Sequence, residues 1–197
     1  KNVPADLHVV LTDEYSAPLL AAHVERAHFE LYVGDPDDVL GRFAAATKRY
    51  QPRTILRATG DNPLVSPEIA EANLDMHFDT GCDYTALTDS PLGTGVEVVE
   101  ADALLQAAEE AREPYEREHV TPFLYRRPQR YGLCVESVPT AWRFPRARVT
   151  LDTPDDYEYL KEIFDAVYKG APISIESLVE HLSGEDRRDA GSRRHSA

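Results

Sequence analysis

Asp61 and Asp152 are the side chains of this sequence best suited to hold a divalent cation. Each stands just past a short apolar, β-branched run, residues 53–58 and 147–151. In an open α/β sheet, ligands gather outside the carboxyl ends of the strands, so both carboxylates fall at one sheet edge. Two hard carboxylates meeting there suit Mg²⁺, which takes one or two protein carboxylates and leaves its other positions to water and substrate phosphates. The same residues also read as plain structure: Gly60-Asp61-Asn62-Pro63 is an ordinary turn, and Asp152 stands one residue before a helix cap. Spacing alone leaves both readings open. Asp35-Pro36-Asp37 is a literal D-x-D, the metal motif of many glycosyltransferases, but between a strand and a helix it equally fits acids at a helix start. Ser, Cys and His form no triad-like arrangement, and the G-x-G-x-x-G and P-loop patterns are missing.

The elements that must position these groups alternate. Short apolar runs at residues 7–11, 29–33, 53–58, 83–87, 96–99, 131–138 and 147–151 read as strands. Helical spacing covers residues 16–27, a segment opened by the acidic turn 34–38 with Val39, Leu40, Phe43 and Ala46 on one face, and residues 101–112 and 115–125. Ser66 and Pro67 open another helix, a capping residue followed by a proline at the first helical position. Thr153-Pro154-Asp155-Asp156 resembles a capping box that starts a helix running to about Tyr168. A short last helix is expected near residues 174–182. This alternation predicts an α/β fold in a single domain over residues 1–183, with residues 184–197 as a disordered tail poor in apolar side chains.

Composition narrows the partners. A chain of 197 residues can bury roughly two-thirds of its surface in one core. With 35 acids against 21 bases and a net charge of -14, it lacks the concentrated basic surface of a general nucleic-acid binder. A small anionic ligand needs only a few local cations, helix N-termini or a metal ion, so a nucleotide is not excluded. Cys82 and Cys134 match no zinc spacing and are too few for a secreted disulfide scaffold, which points to a reducing cytoplasm. No apolar run approaches the roughly 18 residues of a membrane helix.

Four segments carry a resemblance: RATGDNPLVSPEI from Arg57, GVEVVEADAL from Gly95, PYEREHVTPFLY from Pro114 and VTLDTPDDYEYL from Val149. In this order they resemble the cytidylyltransferase family of spore-coat polysaccharide biosynthesis, itself similar to the enzymes that make CMP-activated keto-deoxy-octulosonate and CMP-sialic acid. The resemblance implies a three-layer α/β/α, Rossmann-like nucleotide-diphospho-sugar transferase fold with a mostly parallel mixed sheet. It also implies transfer of a cytidylyl group from CTP to a sugar, an acidic one, with release of pyrophosphate. By position in the motifs, Asp61 and Asp152 match the holders of the divalent metal, Mg²⁺. Arg57, Thr59 and Gly60 match the strand end that faces base or ribose, and Glu97, Glu118 and His119 match the sugar side. For His119 the spacing from Tyr115 and Phe123 equally suits local packing. A homodimer is implied by the relatives alone, with Tyr131, Trp142 and Phe144 as its surface or, equally, as part of the domain's own core.

Two departures stand beside that resemblance. The family's first strand and its loop of small and basic residues, which cradles the triphosphate, have no counterpart here, so about forty residues preceding Lys1 are expected in a complete enzyme. Gly95 stands where the family pattern usually has an acid. The competing readings are a nucleotide-sugar-dependent glycosyltransferase using Asp35 and Asp37, and a non-catalytic nucleotide-binding relative.

Overall fold

The computed structural model describes residues 3–194. Its elements run β1 Val9–Thr12, α1 Ala17–Ala27, β2 Glu30–Val33, α2 Val39–Tyr50, β3 Thr54–Arg57, α3 Pro67–Thr80, β4 Tyr84–Thr88 and β5 Glu97–Glu100. Then come α4 Ala101–Glu110, α5 Pro114–His119, α6 Pro122–Tyr125, β6 Leu133–Ser137, a 3₁₀ turn at Thr140–Trp142, α7 Pro154–Val167 and α8 Ile175–Arg194. The α/β alternation is therefore realised, with most elements where the apolar periodicity predicts them.

The sheet is more mixed than expected. β1 and β2 form a parallel pair, and a second sheet has the order β3-β5-β4-β6. β5 runs antiparallel to both β3 and β4, whereas β4 and β6 are parallel. The loop after β4 returns the chain alongside that same strand, which forces β5 into the reverse direction. Among the described residues β1 and β3 each pair on one side only.

Side-chain alternation along β4 sorts the two cores. Tyr84 and Ala86 join the cluster of Leu40, Val99, Leu104, Ala107, Phe123 and Leu124, under α2, α4 and α6. Leu87 joins the cluster of Leu64, Ile69, Val149, Leu160, Ile163, Ile175 and Leu178, under α3, α7 and α8. Helices thus cover both faces, a three-layer arrangement. Tyr131 is buried in the first core, and Trp142 and Phe144 pack against the second, so these aromatics belong to the domain's own interior.

Four local expectations change. The single helix foreseen over residues 115–125 is broken into α5 and α6, because Pro122 restricts the residue before it and Val120 adopts a left-handed φ of 74°. The strand foreseen at 147–151 shrinks to one parallel bridge between Leu92 and Arg148, since its neighbour is a turn containing Pro91 and Gly93 rather than a strand. The last helix, expected to end near Leu182, continues to Arg194, and residues 195–197 of the expected tail lie outside the described residues. Cys82 and Cys134, far apart in sequence, are joined with their Cα atoms 6.1 Å apart, because the parallel register of β4 and β6 brings their neighbourhoods together. No described helix is long and apolar enough to cross a membrane.

Two polar contacts fasten α3 to the second sheet. Asn73, fully buried, donates through Nδ2 to the carbonyls of Thr85 at 3.3 Å and Val96 at 3.0 Å. His77 Nε2 lies 2.9 Å from Glu100 Oε1, which also accepts from the Thr54 hydroxyl at 2.8 Å. Burial alone would raise the Glu100 carboxyl, but the hydrogen bonds from His77 and Thr54 and the nearby charges of His77 and Arg53 hold it below its ordinary 4.5. A carboxylate lowered in this way adds stability above its unfolded value, and that stability is lost as the pH falls through the folded one. Thermal melts should therefore show wild type above Glu100→Gln at neutral pH, with the gap closing below about pH 4.5; a gap independent of pH would contradict the assignment. Asn73→Ala should cost about 1–3 kcal/mol in urea unfolding, because two backbone carbonyls lose their donor.

Candidate active site

β3 ends at Arg57 because the following Thr59-Gly60-Asp61-Asn62-Pro63 segment cannot extend it. Instead it folds into a turn in which the Asn62 N–H donates to the Thr59 carbonyl at 3.2 Å. The Asp61 carbonyl accepts the N–H of Leu151 at 2.7 Å. That one bond sets the residue preceding Asp152 against Asp61, so the two carboxylate-bearing segments are neighbours.

The segment carrying Asp152 is held from both ends. Upstream, Leu92 N–H donates to the Ala147 carbonyl at 2.9 Å, and Val149 N–H to the Leu92 carbonyl at 2.8 Å. Downstream, Thr153 caps α7 by accepting from Asp156 N–H, while Asp156 Oδ2 accepts from the backbone of Asp152 at 3.0 Å and Thr153 at 2.8 Å. The backbone bond from Asp152, with the Thr153 contacts, holds the Asp156 carboxyl below its ordinary range. Asp152 Oδ2 accepts from the Thr150 hydroxyl at 2.9 Å and from Arg148. The Asp61 carboxylate makes no hydrogen bond or ion pair among the described residues.

This donor set fits Mg²⁺: hard oxygens on two adjacent segments, one carboxylate unengaged and the other using a single oxygen for its protein partners. No group of three or more His, Cys, Asp or Glu side chains able to hold a metal occurs among the described residues. An ion at this place would accordingly complete its coordination from water and phosphate.

Beside the pair opens a cleft of about 510 Å³, walled by Arg57, Thr59, Asn62, Tyr84, Glu97 and the loop from Thr88 to Gly95. Glu97 is its electrostatic centre. Oε1 accepts from the Tyr84 hydroxyl at 2.8 Å and the Thr121 hydroxyl at 2.7 Å, and Oε2 accepts from Arg57 Nη1 at 2.5 Å. Burial, together with the Glu97 charge and hydrogen bond, pushes the Tyr84 phenol far above its ordinary value, so it stays a donor. A Cβ at Gly95 would approach only the Leu87 carbonyl, at 3.9 Å, so the glycine leaves that part of the wall open.

The structure brings together Arg57, Thr59 and Glu97 in the cleft wall and Asp61 and Asp152 beside one another. It does not bring in all the residues named from motif position. Gly60 lies in the turn but outside the cleft wall. Glu118 is exposed and stands 4.0 Å from His119, whose ring packs 4.3 Å from that of Tyr115. The PYEREHVTP segment instead reaches the site through Thr121, which is buried at the start of α6 and points its hydroxyl at Glu97. Thr121 and Tyr84 carry no local sequence signal for this; the pairing of β4 with β5 reveals Tyr84, and the placement of the start of α6 reveals Thr121. Of the D-x-D pair, Asp35 Oδ1 accepts from the N–H groups of Asp37 at 2.9 Å and Asp38 at 3.1 Å, and neither acid is among the residues that wall the cleft. Asp38 then caps α2, accepting from Gly41 N–H at 2.8 Å.

Comparison with known proteins identifies the family. A family model described as Cytidylyltransferase matches residues 9–180. The chain is 33% identical over 179 residues to the spore coat polysaccharide biosynthesis protein SpsF of Bacillus subtilis (strain 168), covering 90% of this chain and 75% of that relative. Among solved structures, a cytidylyltransferase from Leptospira borgpetersenii superposes with a TM-score of 0.82 at 24% identity, over 91% of this chain and 76% of that one. A CMP:2-keto-3-deoxy-manno-octonic acid synthetase complexed with CTP superposes with a TM-score of 0.57 at 12% identity, over 82% of each chain. At those identities the two structures speak for the fold.

Gly93 is the tightest point of the arrangement. Its φ is +102°, and a Cβ there would meet Thr150 Cγ2 and the Val149 carbonyl group at 3.0 Å. Gly93→Ala should lower stability by about 1–3 kcal/mol through the strained backbone and displace the segment that carries Asp152. A calorimetric melt checks the first effect. Wild-type stability in this variant would show that the close approach is not needed.

Proposed function

The chain belongs to the cytidylyltransferase family, and from that premise we propose that it uses CTP to activate an acidic sugar for polysaccharide assembly, with Mg²⁺ held by Asp61 and Asp152. The observation that carries this reading is the hydrogen bond from Leu151 N–H to the Asp61 carbonyl, which sets the two carboxylate segments side by side, next in sequence to Asn62 of the cleft wall. The relative's role in spore coat polysaccharide biosynthesis and the CTP bound by the keto-deoxy-octulosonate synthetase support the choice of pathway class and nucleotide.

In the reaction a sugar hydroxyl oxygen attacks the α-phosphorus of CTP. The new oxygen–phosphorus bond forms as the bond to the pyrophosphate oxygen breaks, the hydroxyl proton leaves to solvent, and pyrophosphate departs. Phosphoryl-type transfers of this kind depend on positioning and charge neutralisation more than on covalent catalysis. What a divalent ion supplies when bound between the two aspartates is neutralisation of phosphate charge. The protein's own part is placement. The turn at Thr59–Asn62 sets the nucleotide side of the cleft, and the capped start of α7 fixes the Asp152 backbone. The hydroxyl of Thr59 and that of Ser90, which accepts from Thr94 at 3.0 Å and keeps its own proton to donate, offer hydrogen bonds to ribose and sugar. The glycosyltransferase reading is less favoured because Asp35 and Asp37 are not among the residues that wall the cleft.

The test is pyrophosphate release from CTP, Mg²⁺ and a panel of acidic sugars. Asp61→Asn and Asp152→Asn should each lower the rate roughly a hundredfold or more while leaving the circular dichroism spectrum unchanged, since several kcal/mol of charge stabilisation go with the metal. Wild-type rates in either variant would remove the two-carboxylate site, and activity with neutral sugars alone would overturn the acidic substrate.

A further inference from the structure

By position in the motifs, Glu97 belongs to the sugar side and Arg57 to the nucleotide side, yet the structure ties them together. A carboxylate offers about four lone-pair sites. Three of those on Glu97 are taken, by Tyr84 at 2.8 Å, Thr121 at 2.7 Å and Arg57 at 2.5 Å. Little acceptor capacity is left for a sugar hydroxyl. Tyr84 comes from β4 and Thr121 from the start of α6, so Glu97 is fixed from two elements and cannot swing toward a ligand without abandoning both.

Arg57 presents the opposite balance. A guanidinium has five N–H donors in a planar fork, and among the described residues only Nη1 of Arg57 is bonded, to Glu97. Its side chain keeps 15% exposure, and Arg57 is, among the described residues, the one Lys or Arg in the cleft wall. The other acid in the wall, Asp89, is engaged by the Ser137 hydroxyl at 2.6 Å. The same wall carries the neutral groups Thr59, Asn62, Thr88 and Ser90.

We propose that Arg57 is the group that binds an oxyanion, carboxylate or phosphate, inside this cleft, and that Glu97 is a positioning residue that holds the guanidinium edge-on rather than a ligand itself. The inference rests on the cytidylyltransferase reading for the identity of the cleft, and it names the chemistry that selects an acidic sugar there. The free edge of the fork matches the two oxygens of a carboxylate or phosphate. The neutral hydroxyls of the same wall suit the uncharged part of the same molecule.

Calorimetric titration of the whole chain tests this with three probes: glucuronate for a carboxylate, inorganic phosphate for a phosphate, and glucose as the neutral control. Wild type should bind at least one of the two anions more tightly than glucose. Arg57→Gln should weaken that anion about tenfold and leave glucose unchanged, because a bidentate charged contact is lost. Arg57→Lys keeps the ion pair with Glu97, and so the fold, yet should still weaken the anion several-fold, since a single ammonium cannot present the fork. Glu97→Gln should weaken the same anion by a smaller factor, again without touching glucose. Which anion responds identifies the source of the oxyanion. The proposal is overturned if wild type binds neither anion above glucose, if Arg57→Gln and Arg57→Lys bind it as wild type does, or if Glu97→Gln loses glucose as strongly as the anion. Failure of CTP turnover with anion binding intact would instead count against the cytidylyl reading and leave this one standing.

Discussion

The hydrogen bond between Leu151 N–H and the Asp61 carbonyl is the contact on which the site depends. It joins the turn after β3 to the segment before α7, two stretches that share no strand ladder and lie far apart in sequence. Several otherwise unremarked features exist to permit it. β3 must stop at Arg57 so that the turn can present its carbonyl. The bridge at Leu92 and Arg148 must bring residues 147–151 to the same edge, and Gly93 must lack a Cβ for Val149 and Thr150 to come so close. The capping box of Thr153 and Asp156 then fixes the backbone of Asp152 from the other side. Geometry that serves two carboxylates is thus made by main-chain bonds, which are less easily altered by side-chain substitution than a network of charges.

Electrostatics supplies the second half of the site. The chain carries a net charge of -14, so any anionic substrate approaches an acidic protein and must find its cations locally. Arg148 is drawn onto Asp152 and Arg117 onto Asp38, which leaves the cleft itself with Arg57. Glu97 would seem to cancel that charge. Two hydroxyl donors on Oε1 share its negative charge, while the guanidinium spends only one of its donors in return. The outcome is an oriented arginine, not a neutralised one.

Much of this was legible in the sequence, and what was not has physical causes. Apolar periodicity located every strand of the two sheets and most helices, because burial on one face writes itself directly into residue order. The family motifs named Arg57, Thr59 and Glu97, which wall the cleft, and Asp61 and Asp152, whose segments are joined by the bond from Leu151 N–H to the Asp61 carbonyl. Pairing direction was not legible: nothing within residues 97–100 says that β5 runs antiparallel, since that follows from how the preceding loop turns. The same holds for Thr121 and Tyr84, whose role depends on where Glu97 lands across the sheet. Glu118 and His119 lie beside Thr121 in sequence but are exposed and outside the cleft wall, because Val120 turns the chain between them. Residues 147–151 have the composition of a strand, but a strand needs a straight neighbour, and theirs is a turn.

The central claim is that Asp61 and Asp152 form one metal site. Electron paramagnetic resonance of Mn²⁺, a paramagnetic substitute for Mg²⁺, tests it most directly when the ion is titrated into the protein with CTP present. The account predicts one bound ion per chain in wild type, and its loss when either Asp61→Asn or Asp152→Asn is introduced alone. Undiminished Mn²⁺ binding in both variants would contradict it.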